Sequence, residues 1–226
     1  MNWSAVQKKD PIYLNLGGGI NCHPKIGYEN YISVDTNPPH EGWSVKHDLR
    51  EPILLPEHSV TRILSEDFME HLKTEEIKVL LRECFRLLKP RGVVGIGVPD
   101  YNNPKDHIYI EKGRDPRHPD HITLIDYELM KNIIEESPFL RYEFYHYWDE
   151  GEFIYKKIDY SLGMIKRTPD NDPRCRMGSL KQKTEVVLAD FLFKLARGFR
   201  VSEGDMSVRR GHRLYVTSLV VDLFKD

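Results

Sequence analysis

Two groups of residues carry spacing that could do chemistry. The apolar run Tyr13-Leu14-Asn15-Leu16 breaks into Gly17-Gly18-Gly19, and the next apolar run, Tyr31-Ile32-Ser33-Val34, ends in Asp35. Glycines let a ligand approach the backbone because no Cβ intervenes. A carboxylate at the tip of the following strand can accept hydrogen bonds from ribose hydroxyls. The pair therefore predicts a nucleoside-binding sheet edge. The second group lies in the polar stretch 100–122, which holds Asp100, Asp106, His107, His118, Asp120 and His121. A His-Asp couple there, His121 with Asp100 or Asp120, suits general-base work, because free histidine titrates near about 6.5. His118 is the other candidate base. The alternative is that these side chains order the loop and cap the next helix. No HxH or HExxH spacing appears, so no metal site is assigned.

These residues need a scaffold, and the pattern supplies one. Ile12–Leu16, Tyr31–Val34, Trp43–His47, Val60–Ser65 and Val93–Val98 read as strands. Fourteen residues, Gly17–Asn30, join the first two, so the crossover helix there is very short or absent. Thr74 is expected to cap a helix with Ile77, Leu80, Leu81, Cys84, Phe85, Leu87 and Leu88 on one stripe, ended by Pro90 and Gly92. A second helix begins at Thr123 or Asp126 and ends at Ser137-Pro138. Leu140–Tyr147 is a sixth strand and Leu214–Leu223 the last. Tyr142, Phe144, Tyr145, Tyr147 and Trp148 have the spacing of core and rim positions, or could stack on an acceptor.

About 65 residues separate those last two strands. They hold a basic section, Lys156–Lys183, and a helix near Thr184–Arg197 with Val187, Leu188, Phe191, Leu192 and Leu195. The whole chain, 1–226, is expected to be one domain with 149–213 as an insertion: a packed helix, a lid, a substrate contact or a homodimer contact. The basic run is a solvated face or a grip for an acidic or phosphorylated substrate.

Composition narrows the classes. The chain has 226 residues, 33 Lys plus Arg against 35 Asp plus Glu, and a formal net charge of −2. That gives no global attraction to nucleic acid phosphates. No apolar run approaches the ~20 residues of a membrane span, and the first residues lack a signal-peptide core. Cys22, Cys84 and Cys175 stand far apart without a CxxC. A reduced, cytoplasmic protein is expected. A dinucleotide fingerprint would need a third glycine where Cys22 stands, and no GxxxxGK[ST] phosphate cradle occurs. A ribose-bearing cofactor without a pyrophosphate fits better.

In order, Leu16-Gly17-Gly18-Gly19, Ser33-Val34-Asp35, His47-Asp48-Leu49, Ser65-Glu66-Asp67-Phe68-Met69-Glu70-His71-Leu72, Leu87-Leu88-Lys89-Pro90-Arg91-Gly92-Val93 and Val98-Pro99-Asp100 resemble the class I S-adenosylmethionine-dependent methyltransferases. Within that class the chain is similar to the small branch of methyltransferase type 11, often found among glycan and surface-polysaccharide genes. The resemblance implies a Rossmann-like α/β sheet, mostly parallel with an antiparallel last strand. It implies S-adenosyl-L-methionine as cofactor and S-adenosyl-L-homocysteine as product. Gly17, Gly18 and Gly19 match the cofactor loop, Asp35 the ribose acid, and Asp48 with Leu49 the adenine pair. Ser65 and Glu66 sit where the fourth strand opens beside the methyl donor, and His71 matches a histidine near the cofactor's amino acid end. Asn15 stands where many members carry an acid, and Asn21 where many carry a glycine. Asn15 can hydrogen-bond the cofactor's ammonium but cannot pair with it ionically.

The fourth strand lacks the Asn/Asp-Pro-Pro-aromatic element of amino-nitrogen methylation, which favours an oxygen acceptor. The expected activity is methylation of a sugar, glycan or other small-molecule hydroxyl, in line and with a general base. A non-catalytic binding subunit that kept the fold, or an RNA or protein methyltransferase, are the alternatives.

Overall fold

The computed structural model describes residues 1–19, 31–38, 42–107, 109–156, 188 and 218–226. In chain order the elements are α1 (Trp3–Val6), β1 (Tyr13–Leu16), β2 (Tyr31–Asp35), β3 (Ser44–Lys46), β4 (Val60–Glu66), a 3-10 turn (Met69–His71), α2 (Thr74–Leu87), β5 (Leu88–Pro99), α3 (Pro104–His107), α4 (Tyr127–Glu135), β6 (Arg141–Asp149), β7 (Glu152–Tyr155) and β8 (Ser218–Phe224). The strands form one sheet of order β3-β2-β1-β4-β5-β8-β6-β7. β1 pairs in parallel with β2 and β4, β2 with β3, and β4 with β5. β8 and β7 both run antiparallel to β6. This is the mostly parallel, Rossmann-like sheet expected, with an antiparallel last strand and chain order reversing between β1 and β4.

The central strands read as continuous apolar runs because both faces are covered. Leu14, Leu16, Val34, Ile63, Val94, Ile96 and Val98 are buried in a core shared with α2 and α4. α2 buries Ile77, Leu80, Leu81, Cys84 and Leu87. Its four aliphatic side chains contribute about 2 kcal/mol each, an upper bound of roughly 8 kcal/mol. Lys73, not Thr74, is the N-cap, and the Glu76 carboxylate accepts its backbone N–H at 2.8 Å. The chain passes from α2 directly into β5. Arg91 adopts a φ of 65°, and the β4–β5 register slips there before Arg62 meets Val93. α4 starts at the expected cap, where Asp126 Oδ1 accepts the Leu129 N–H at 2.8 Å.

The segment after β6 does not begin as an irregular insertion. Asp149 pairs with Glu152 across Glu150 and Gly151, both at positive φ, so β7 is the return strand of a tight hairpin. Tyr142, Phe144 and Tyr147 of β6 pack against the core, with Tyr147 stacked on Tyr127 at 4.1 Å between centroids. Lys156 pairs with Glu143.

The chain divides into two compact units, Met1–Lys156 with Leu219–Asp226, and Lys157–Ser218. Apart from Leu188, the expected helix near 184–197 lies outside the described residues, as do nearly all of the basic run, the 20–30 link with Cys22, and Cys175. None of the described helices is long and apolar enough to cross a membrane.

Candidate active site

Parallel pairing of β1–β5 brings their carboxyl ends to one edge, and the candidate residues follow those ends. Gly17–Gly19 succeed β1, Asp35 ends β2, Asp48 and Leu49 follow β3, Ser65 and Glu66 end β4, and Asp100 follows β5. Ligands of open α/β sheets bind at this edge. A cavity of about 440 Å³ lined by Asp10, Pro11, Tyr13, Tyr31 and Trp43 opens at the opposite edge, beside the first residues of β1 and β2.

The glycine turn is held from both sides. Gly17 donates its N–H to the Val34 carbonyl at 2.9 Å, and Gly19 donates to Asp35 Oδ2 at 3.2 Å. The other Asp35 oxygen accepts the Asn37 N–H at 2.9 Å. Gly17 has a φ of +66°, and a Cβ there would lie 2.2 Å from the Phe68 ring. A Cβ on Gly18 would lie 2.7 Å from Asn15 Nδ2 and 2.8 Å from Ser33 Oγ. Side chains are thus excluded from the turn by both conformation and space.

Around it, Asn15 Oδ1, Ser33 Oγ and Ser65 Oγ are buried with no hydrogen-bond partner among the described residues. They sit on the adjacent strands β2, β1 and β4 near the ligand edge. Buried polar atoms are normally satisfied, and three orphans beside a glycine cradle and a ribose-type acid fit a polar nucleoside ligand. The residues present fit S-adenosylmethionine.

Asp48 is less available. Arg50 holds it with a bidentate ion pair, 2.6 Å at the shortest, and keeps its carboxyl low, at about 2. Leu49 is buried in the core. Glu66 is buried at the end of β4.

Beyond Phe68 the chain makes the 3-10 turn Met69–His71, and the 100–122 loop is fastened to it. The Glu70 carbonyl accepts the N–H groups of Ile122 and Thr123 at 2.8 and 3.0 Å, and the Thr123 hydroxyl donates to the Leu72 carbonyl at 2.5 Å. This brings His71 to His121, with ring centroids 4.9 Å apart, and stacks His118 on His121 at 4.6 Å. His71 Nδ1 lies 3.0 Å from the Asp120 carbonyl. Tyr101 bonds His121 Nδ1 at 2.6 Å and Asp115 Oδ2 at 3.4 Å. Burial, then the neighbouring His118 and His71, hold His121 down at about 4, so it is neutral near pH 7. Burial alone would raise the Asp115 carboxyl, but the Arg117 guanidinium and backbone N–H outweigh it and hold the group ionised.

The expected His121–Asp100 couple takes a different form. Asp100 is fully buried and serves the backbone: its oxygens accept the N–H groups of Asn102 at 3.0 Å and Trp148 at 2.7 Å. The hydroxyl against His121 Nδ1 is that of Tyr101, which sequence reasoning missed. Asp115 was missed as well. No local spacing links Tyr101, Asp115 and His71 to His121; the pinning of the loop to the 3-10 turn does.

Residues 25–96, about a third of the chain, match a family model for a methyltransferase domain. No curated protein matches the sequence. Among solved structures, a SAM-dependent methyltransferase from Archaeoglobus fulgidus is similar over 99% of this chain and 90% of its own, at 19% identity and a TM-score of 0.56. Phosphoethanolamine N-methyltransferase 2 of Haemonchus contortus, in complex with phosphomonomethylethanolamine and S-adenosylhomocysteine, is similar over 96% of this chain and 48% of its own, at 17% identity and a TM-score of 0.52. The chain spans about half of that protein's length. At these identities the structural likeness is one of fold. The family-model match over residues 25–96, which holds Asp35 and Asp48 but not the glycine turn, supports a methyltransferase.

Proposed function

We propose that this protein transfers the methyl group of S-adenosylmethionine to a hydroxyl of a small molecule, most simply a sugar or glycan, with His118 as general base. Gly17–Gly19, Asp35, Asn15 and Ser65 are the residues assigned to the cofactor. The sulfonium supplies the methyl reactivity. The chain's own residues supply alignment, which can contribute several kcal/mol, and a proton acceptor for the hydroxyl.

The observation that carries this reading is the stacking of exposed His118 on partly buried, neutral His121. The His121 Nδ1 bond to Tyr101 keeps that ring in place. The fourth strand's Ser65-Glu66-Asp67-Phe68 ending also supports an oxygen acceptor over an amine.

The test is transfer of label from methyl-labelled S-adenosylmethionine to a panel of sugars, nucleotide sugars, amines and RNA. Label on a hydroxyl of the sugar set, lost in His118→Ala with cofactor affinity intact, supports the reading. Label on amines or RNA alone would refute the acceptor class. S-adenosylhomocysteine binding without any transfer would favour a binding subunit.

A further inference from the structure

We propose that Glu70, His71 and His121 form a binding site for a divalent transition metal, of which Zn²⁺ is the type. One ligand atom from each lies within 4.8 Å of the others. His121 Nε2 stands 4.0 Å from Glu70 Oε1. Both carrier segments are fixed, because the Glu70 carbonyl clamps the loop at Ile122 and Thr123.

The second nitrogen of each imidazole is already committed. His71 Nδ1 faces the Asp120 carbonyl at 3.0 Å. A carbonyl only accepts, so Nδ1 carries the proton and Nε2 carries the lone pair. For His121 the order follows from Asp115. Arg117 holds Asp115 as a carboxylate, 2.7 Å away, so Asp115 can only accept. The Tyr101 hydroxyl then donates to Asp115, and its oxygen accepts from His121 Nδ1–H. Nε2 of His121 is again the lone-pair nitrogen, on the side of Glu70. Metal-binding histidines are typically oriented this way, by a carbonyl or a carboxylate-backed donor chain on the remote nitrogen.

The donor set selects the metal class. Two imidazoles and one carboxylate suit Zn²⁺ or its first-row neighbours, whereas Mg²⁺ and Ca²⁺ prefer oxygen alone. The Glu70 side chain is 1% exposed, which places its carboxylate inside the fold beside the two imidazoles. Three protein ligands leave a coordination position for water or an acceptor oxygen. A hydroxyl bound there would lose its proton to His118 as its oxygen forms the new bond to the methyl carbon and the sulfonium S–C bond breaks. That role rests on the proposed methyl transfer; the binding site itself does not.

The test uses untagged full-length protein, dialysed against a chelator and then equilibrated with Zn²⁺ alone, with metal per chain read by mass spectrometry and affinity by competition titration. One Zn²⁺ per chain is expected. Affinity should fall at least about 100-fold in His71→Ala, His121→Gln and Glu70→Gln, and about tenfold or more in Tyr101→Phe, which removes only the orienting hydroxyl. His118→Ala should bind as wild type. Circular dichroism of each variant guards against unfolding, and Tyr101→Phe keeps the test alive if a ligand variant does not fold. Folded wild type without stoichiometric Zn²⁺ overturns the proposal. So does binding that survives Glu70→Gln and His71→Ala but is lost in His118→Ala, which would move the metal to the exposed His118, Asp120 and His121 group. Zinc bound normally by a protein that fails to bind S-adenosylhomocysteine would keep this site and sink the cofactor reading.

Discussion

Gly19 donates its backbone N–H to Asp35 Oδ2 at 3.2 Å, so the turn after β1 and the acid ending β2 are held as one unit. The acid holds the glycine turn from its place at the carboxyl end of β2. Asp35→Asn keeps the shape but removes the charge. Charge-assisted bonds are worth about 1.5–3 kcal/mol. S-adenosylhomocysteine affinity measured by calorimetry should fall roughly 10- to 150-fold, while the melting temperature moves little. Unchanged affinity would remove Asp35 from the site.

Gly17 tests the turn from the side of packing. Alanine there meets a φ of +66°, costing about 1–2 kcal/mol, and a Cβ 2.2 Å from the Phe68 ring. Gly17→Ala should destabilise the protein by at least about 2 kcal/mol in urea unfolding. In a Phe68→Ala background the same change should cost less, because space is restored while the φ penalty stays. Equal costs in the two backgrounds would show that Phe68 does not press on the turn.

The glycine turn and Asp35 were legible because their signals are local: a strand, its end, and a residue type that only one backbone conformation demands. α2 was legible from its stripe, although its cap fell one residue early, since Glu76 reaches back to Lys73. β7 was missed, yet a signal stood there: Glu150-Gly151 between aromatic runs is a two-residue hairpin sequence. The meeting of His71, His118 and His121 was not legible. It depends on Glu70 gripping Ile122 and Thr123, a contact across some fifty residues that no periodicity encodes.

Glu83 should make folding sensitive to acid. Its carboxylate accepts the Ile53 N–H at 2.8 Å and pairs with Arg86 at 2.6 Å, and Arg86 in turn donates to the Ile53 and Leu55 carbonyls. Burial alone would raise its pKa, but Arg86 and the Ile53 N–H outweigh burial and lower it. A carboxyl depressed in the folded state stabilises above its unfolded value, near about 4.3, and that contribution is lost as pH falls through the folded value. Glu83→Gln should cost about 1–2 kcal/mol at pH 7. Its melting temperature should then decline less than wild type's between pH 5 and the acid limit, as followed by circular dichroism. Parallel curves would show that the ion pair contributes nothing to acid lability.

His118 carries the proton in this account, and His121 supports it. His118→Ala should lower kcat about 10²- to 10⁴-fold, the usual worth of a general base, with S-adenosylhomocysteine affinity unchanged. Normal turnover in that variant would remove the base from His118.

The central claim is that the glycine turn, Asp35 and the buried orphan atoms of Asn15, Ser33 and Ser65 bind S-adenosylmethionine. Calorimetric titration of the wild-type protein with S-adenosylhomocysteine tests it most directly. The account predicts saturable binding at one site per chain, weakened by Asp35→Asn. A folded protein that gives no binding at millimolar product would contradict it.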